Sequence, residues 1–189
     1  MVLSNVRIVE GLQSGAFAIR NLAGHNPSEK PFNTSAVDLR LSDEIRVPRL
    51  NYPVQLDLRK PHIARFLEHS SEKFSITEQQ GFVLKPHEFV LANTMEVVDF
   101  PIGRERCYSA RVEGKSSLAR CGILVHFTAP TIHAGFNGTI TLEMINLGPH
   151  EFLLYPGMYI CQLIIEEVLG NPADAPNQFV GQSKPAGVV

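Results

Sequence analysis

The sequence predicts a mainly β fold, a sandwich or barrel with a few short helices. Three observations point there. From Phe74 onward, apolar runs recur at spacings of about ten residues, separated by Gly, Pro and Asn. Upstream, "AVDLRL" alternates strictly, with Val37, Leu39 and Leu41 on one side and Asp38 and Arg40 on the other. Helical spacing appears only in brief stretches.

Taken in order, Ser4 can cap a short helix over "NVRIVEGLQSG", with Ile8, Val9 and Leu12 on one side and Gly15 to end it. "AGHNPSEKPFNTS" is a loop rich in Pro, Asn and Ser. "AVDLRLSDEIRVP" reads as a half-buried strand, and "PHIARFLEHS" as a short helix through Ile63, Phe66 and Leu67. "KFSIT", "GFVLKPHEFVLANT" and "MEVVDFP" are β-rich and broken by Gly81, Pro86 and Pro101. "GILVHFTAP", "NGTITLEMINLG", "HEFLLYPG" and "MYICQLIIEEV" continue the pattern. No repeat or linker divides the chain, so residues 1–189 read as one domain with a tail from about residue 170, ordered only if something holds it.

Composition narrows the function. The 189 residues are 44% hydrophobic and 19% charged, enough for a real core. A formal net charge of -2 argues against a broad nucleic-acid surface, which must be basic. The three cysteines, Cys107, Cys121 and Cys161, form no CxxC and no disulfide framework, so buried reduced thiols in a cytoplasmic protein are expected. The N-terminus shows no signal-peptide pattern, and no run approaches the roughly 18 apolar residues of a membrane span.

"EGKSSLARCG" (113–122) crowds Lys115, Ser116, Ser117 and Arg120 ahead of the apolar run "ILVHF". It is not a P-loop: the first glycine of that motif falls on Ser109, and a strand follows instead of a long helix. If "SSLAR" makes one helical turn, Ser116 and Arg120 meet on one side, and Lys115 with the first backbone N–H groups favours an anion. The plainer alternative is a capping serine and a surface arginine. In "NGTITLEMINLG", Ile140, Leu142 and Met144 share one strand face and Thr141, Glu143 and Ile145 the other. Glu143 is then either a solvent-facing edge residue or a carboxylate held among apolar neighbours, for which Arg120 is a natural partner. Phe136, between Gly135 and Gly138, is core or a ring that stacks on a base or sugar. The seven histidines form neither HExxH nor the signature of zinc nucleobase deaminases, so no zinc is expected.

The block "VEGKSSLARCGILVHFTAPTIHAGFNGTITLEMINLGPHEFLLYPGMYICQLIIEEV" closely resembles the central block of dCTP deaminases. "SAVDLRL" upstream and "QFVGQ" in the tail extend the likeness from about Ser35 to Gln182. The resemblance implies the fold that this family shares with trimeric dUTPases, a distorted jelly roll or barrel in a homotrimer with active sites between subunits. It implies that Lys115, Ser116 and Ser117 bind a triphosphate, and that Glu143 is the catalytic glutamate. Arg120 and Ser116 then place and orient the groups, and the Ala129 backbone contacts the water. Thr141, Leu142 and Glu143 would line the cytosine, Phe136 the nucleoside, and Gln182 would close the tail over the nucleotide. Mg2+ would enter with the triphosphate and not in a protein cage.

Several positions depart from the pattern. His133 stands where these proteins have an aspartate that contacts the deoxyribose, and the matching aspartate of dUTPases activates their water. Gln178 replaces a tail lysine, Phe179 a tyrosine, and Lys115 the usual arginine. The implied reaction is hydrolytic deamination of dCTP to dUTP and ammonia. The alternatives are dUTP pyrophosphatase or bifunctional activity, a modified cytosine nucleotide as substrate, or a non-catalytic nucleotide-binding trimer.

Overall fold

The computed structural model describes residues 1–52, 57, 59, 63–175 and 179–187. Helix α1 (Asn5–Ser14) starts where Ser4 Oγ accepts the Arg7 N–H, and it ends at Gly15, whose positive φ of 70° lets its N–H reach back to the Gly11 and Leu12 carbonyls. It buries Ile8 and Val9, as their spacing predicts.

The remaining chain is largely antiparallel strand. One sheet runs β5 (Ser71–Ser75), β4 (Glu44–Pro48), β7 (Phe89–Asp99), β11 (Asn137–Asn146) and β9 (Ile123–Leu124), with β1 (Ala18–Arg20) also on β7. The second runs β10 (Thr131–Ile132), β8 (Cys107–Gly114), β13 (Tyr159–Val168), β3 (Ala36–Arg40) and β2 (Phe32–Asn33). A small pair joins β12 (Phe152–Leu154) to β6 (Phe82–Leu84). Inward residues of both main sheets form one core cluster, including Val37, Leu39, Ala92, Val98, Leu142, Met144, Leu163 and Ile165. A mainly β domain is thus what the sequence builds.

Of the three cysteines expected to be buried, Cys121 is exposed on the turn after α3, and three expectations about strands and loops change as well. "AVDLRLSDEIRVP" is two strands in different sheets, β3 and β4, not one. On β3 both faces are covered: Asp38 is fully buried because Lys115, Lys30 and Asn33 satisfy its carboxylate. The loop expected over "AGHNPSEKPFNTS" contains the two-residue strand β2.

The two sheets are also tied by a charge pair. Glu96 on β7 accepts from the Arg40 backbone N–H at 2.8 Å and from Arg40 Nε at 2.7 Å, with only 1% of its side chain exposed. A buried carboxylate needs such pairing, and the bond fixes β3 against β7.

Helix α2 (Ile63–Ser70) packs ahead of β5, and its Ile63 and Leu67 turn toward the cavity described below. The helical turn expected over "SSLAR" forms as α3 (Ser116–Arg120).

Candidate active site

Strand β11 positions the site. Its alternation sends Leu142 and Met144 into the core, fully buried, and leaves Thr141 and Glu143 half-buried on the opposite face. A register shift against β7 lies between Thr139 and Thr141, just before these two residues. Glu143 pairs with Leu91 across the ladder, and both line a cavity of about 500 Å³.

Burial pushes the Glu143 carboxyl above its ordinary range. Its own backbone N–H, the charge of His126 and the Phe127 backbone N–H offset only part of that rise. The cavity also takes in Ala129, His133 and Phe136, and Phe136 belongs to the core cluster as well. Two polar atoms beside Glu143 lack partners among the described residues: Thr141 Oγ1 and His126 Nδ1 are buried and unbonded. Buried polar groups are ordinarily paired, so this pair of orphans suits a ligand with hydrogen-bonding edges. A second hollow, lined by Phe89, Phe127, Thr128, Ala129 and Glu143, shares Phe89, Ala129 and Glu143 with this cavity.

The tail is held, and by β11. The Thr139 N–H and hydroxyl both donate to the Gln182 carbonyl at 2.9 and 3.3 Å, and Gln182 Nε2 donates to the Thr139 carbonyl at 2.8 Å. Gly138 lets them approach, since a Cβ there would stand 2.8 Å from the Gln182 carbonyl oxygen. Phe179, Pro185 and Ala186 also line the cavity, and the tail lies beside α2, where Lys184 Nζ is 3.8 Å from Glu68 Oε1.

Within this chain the residues expected at the site fall into two groups. Ala129, His133, Phe136, Thr141, Glu143 and Gln182 surround the cavity. Lys115, Ser116, Ser117 and Arg120 do not line it; they sit on and before α3, where Ser116, Ser117 and Arg120 are exposed. Among the described residues, Arg120 forms no ion pair with Glu143. Leu142 faces the core, so only its backbone is on the site's side of the strand, and Gln178 lies outside the described residues.

Lys115 Nζ instead binds Asp38 Oδ2 at 2.6 Å. Burial alone would raise the Asp38 carboxyl. Hydrogen bonds from Lys115, Lys30 and Asn33 outweigh it and hold the group below the usual carboxylate range.

A family model described as dCTP deaminase-like matches residues 2–168. The chain belongs to the dCTP deaminase-like family. A relative from Methanobrevibacter smithii, named dCTP deaminase, dUMP-forming, is 35% identical over 97% of this chain and 92% of its own. A relative from Rhodospirillum rubrum, named dCTP deaminase, is also 35% identical, over 93% of this chain and 87% of its own. In fold, the chain is similar to a 2'-deoxycytidine 5'-triphosphate deaminase from Agrobacterium tumefaciens, with a TM-score of 0.66 at 17% identity. That likeness covers 88% of this chain and 47% of the Agrobacterium one, so this chain spans about half its length.

Sequence reasoning missed His126 and the α2 residues Ile63 and Leu67, which line the cavity, and it missed the Lys30–Asp38–Lys115 cluster outside it. His126 carried a signal, since it directly precedes Phe127 in "LVHFTAP" and closes the apolar run. Asp38 carried a misleading one, because strict alternation assigned it to a wet face.

Proposed function

We propose that this chain hydrolytically deaminates dCTP. The observation that carries the reading is Glu143. It is the family's catalytic glutamate by resemblance, and it stands half-buried on a cavity wall with its carboxyl made more basic by burial, in a cavity that Thr141 and His126, each with an unbonded polar atom, also line.

Water attacks C4 of cytosine while Glu143 accepts its proton. Glu143 passes that proton to N3, and the 4-amino group leaves as ammonia after taking a second proton from the adding hydroxyl. Bulk water has a pKa of about 15.7, so the base must be close and the developing charge must meet fixed donors. The Ala129 backbone holds the water, Thr141 faces the base edge, and Phe136 lies beside the nucleoside.

The separation of Glu143 from Lys115, Ser116, Ser117 and Arg120 within a subunit supports a second part of the reading. The chain works as a homotrimer, and α3 of a neighbouring subunit completes each cavity with triphosphate-binding groups and a guanidinium. Mg2+ would come with the substrate triphosphate, whose charge it would partly neutralise, and would need no protein cage. The three free cysteines and the absence, among the described residues, of a helix able to cross a membrane accord with a cytoplasmic setting.

The proposed product is dUTP. His133 sits at the cavity where the aspartate of pyrophosphate-releasing proteins is expected, and an imidazole does not supply that carboxylate. The names of the methanogen relatives, dUMP-forming, favour the second reading, in which hydrolysis continues to dUMP. Incubation with dCTP and Mg2+, with ammonia and pyrophosphate read separately, tests both. Ammonia alone supports dUTP formation, both products support the second reading, and no ammonia removes the deaminase.

A further inference from the structure

Outside the cavity, the most unusual charge arrangement among the described residues surrounds Asp38. This carboxylate is completely buried and receives two ammonium groups on one oxygen: Lys30 Nζ lies 2.5 Å and Lys115 Nζ 2.6 Å from Oδ2. Oδ1 is taken by Asn33 Nδ2 at 2.9 Å. The two ammonium nitrogens therefore lie within about 5 Å of each other. Both also lie near the Tyr159 ring, at 6.0 and 5.9 Å from its centroid.

One carboxylate cannot neutralise two ammonium groups, so the cluster keeps a positive charge. That charge is accessible: the Lys30 side chain is 56% exposed and that of Lys115 21%. Lys115 directly precedes the exposed Ser116 and Ser117 at the start of α3. A structural ion pair needs one lysine. A second, solvent-facing lysine drawn to the same oxygen gains little stability from it, because solvent screens an exposed pair and ordering the long side chain offsets the attraction. Two adjacent point charges with six N–H donors do suit an anion that spreads its charge over neighbouring phosphoryl groups.

We propose that Lys30 is a second ammonium arm of the polyphosphate grip, set beside Lys115 by Asp38. The inference deepens, and rests on, the reading of the chain as a nucleoside triphosphate enzyme. Asp38 is the positioning residue: it keeps Lys115 extended at the start of α3 and holds Lys30 poised. On binding, Lys30 swings from Asp38 to the phosphate oxygens, while Lys115 and Asn33 keep the buried carboxylate satisfied.

The test uses the full chain, calorimetric titration with inorganic tripolyphosphate, and dCTP kinetics. Lys30→Gln is expected to weaken tripolyphosphate binding about tenfold and to raise KM for dCTP similarly, with kcat within about twofold of wild type, the loss of one charge-assisted contact. Lys30→Arg, which keeps the charge, should restore most of both. Unchanged tripolyphosphate affinity in Lys30→Gln, or a lowered melting temperature as its only effect, would overturn the proposal, as would failure of the wild-type chain to bind tripolyphosphate. If wild type binds tripolyphosphate through Lys30 but releases no ammonia from dCTP, the arm stands and the deaminase reading falls. Ammonia release at an unaltered KM in Lys30→Gln gives the converse.

Discussion

Glu143 is where sequence and geometry meet. Alternation along "TITLEMIN" puts it opposite the core face, and the structure finds it there, half-buried. Its raised carboxyl has two consequences with opposite signs. As a base it acts ionised, so kcat/KM should fall as pH drops, with a midpoint above the usual glutamate range near 4.5; a kcat/KM–pH profile, which reports the unliganded enzyme, locates that limb. For stability, a folded-state pKa above the unfolded one means the native state holds the proton more tightly. Glu143 is then no burden below the unfolded pKa, and it costs stability as pH rises through the folded pKa. Glu143→Gln removes that cost. Its melting temperature at pH 8 should equal or exceed that of wild type, while a clear drop would show that the carboxylate is paired and stabilising. The charge partner expected from sequence, Arg120, was legible only as a residue type. Local spacing brings Arg120 to Ser116 on one helical turn, but nothing local reports which strand that turn will face.

Among the elements, β11 carries the most, and its apolar alternation made it easy to find. Strand β8 was not: "CYSARVEG" has no continuous apolar run, and its extended form comes from eight residues paired with β13. The reading of β3 and β4 as one strand failed for a related reason. Alternation persists through Leu41, and the change of sheet happens at "SDE", where no Gly or Pro announces it. The tail was legible as a segment that needs holding, but its anchor was not, because the bonds join residues some 43 positions apart. Gly138 is the hinge of that anchor. In Gly138→Ala the new methyl meets the Gln182 backbone oxygen at 2.8 Å and nitrogen at 3.1 Å, so the tail must lift. Loss of its bonds to Thr139 should cost about 2 kcal/mol of tail docking. Hydrogen exchange at the Thr139 amide should accelerate, and KM for dCTP should rise several-fold. An unchanged exchange rate would mean that the tail is held elsewhere.

For the molecule as a whole, the mainly β architecture was legible because short apolar runs between turns leave few other ways to bury a core. The separation of the expected site residues was not, since the chain carries Glu143 in its cavity and Arg120 on an exposed turn. The trimeric reading gives a mixing prediction. Glu143→Gln and Arg120→Ala subunits, each inactive alone, should regain part of the wild-type turnover when co-assembled, because some interfaces then pair an intact Glu143 with an intact Arg120. No recovery in mixed assemblies of verified composition would place both groups in one subunit's site or remove Arg120 from it. The claim beneath all of this is metal-independent base catalysis by one glutamate on a cytosine ring. The most direct measurement is ammonia release from dCTP by wild type and by Glu143→Gln, with tripolyphosphate affinity measured in parallel. The account predicts steady release by wild type and a loss of at least about a hundredfold in the variant, in line with removal of a general base, at unaltered tripolyphosphate affinity. Comparable release from both proteins would contradict it.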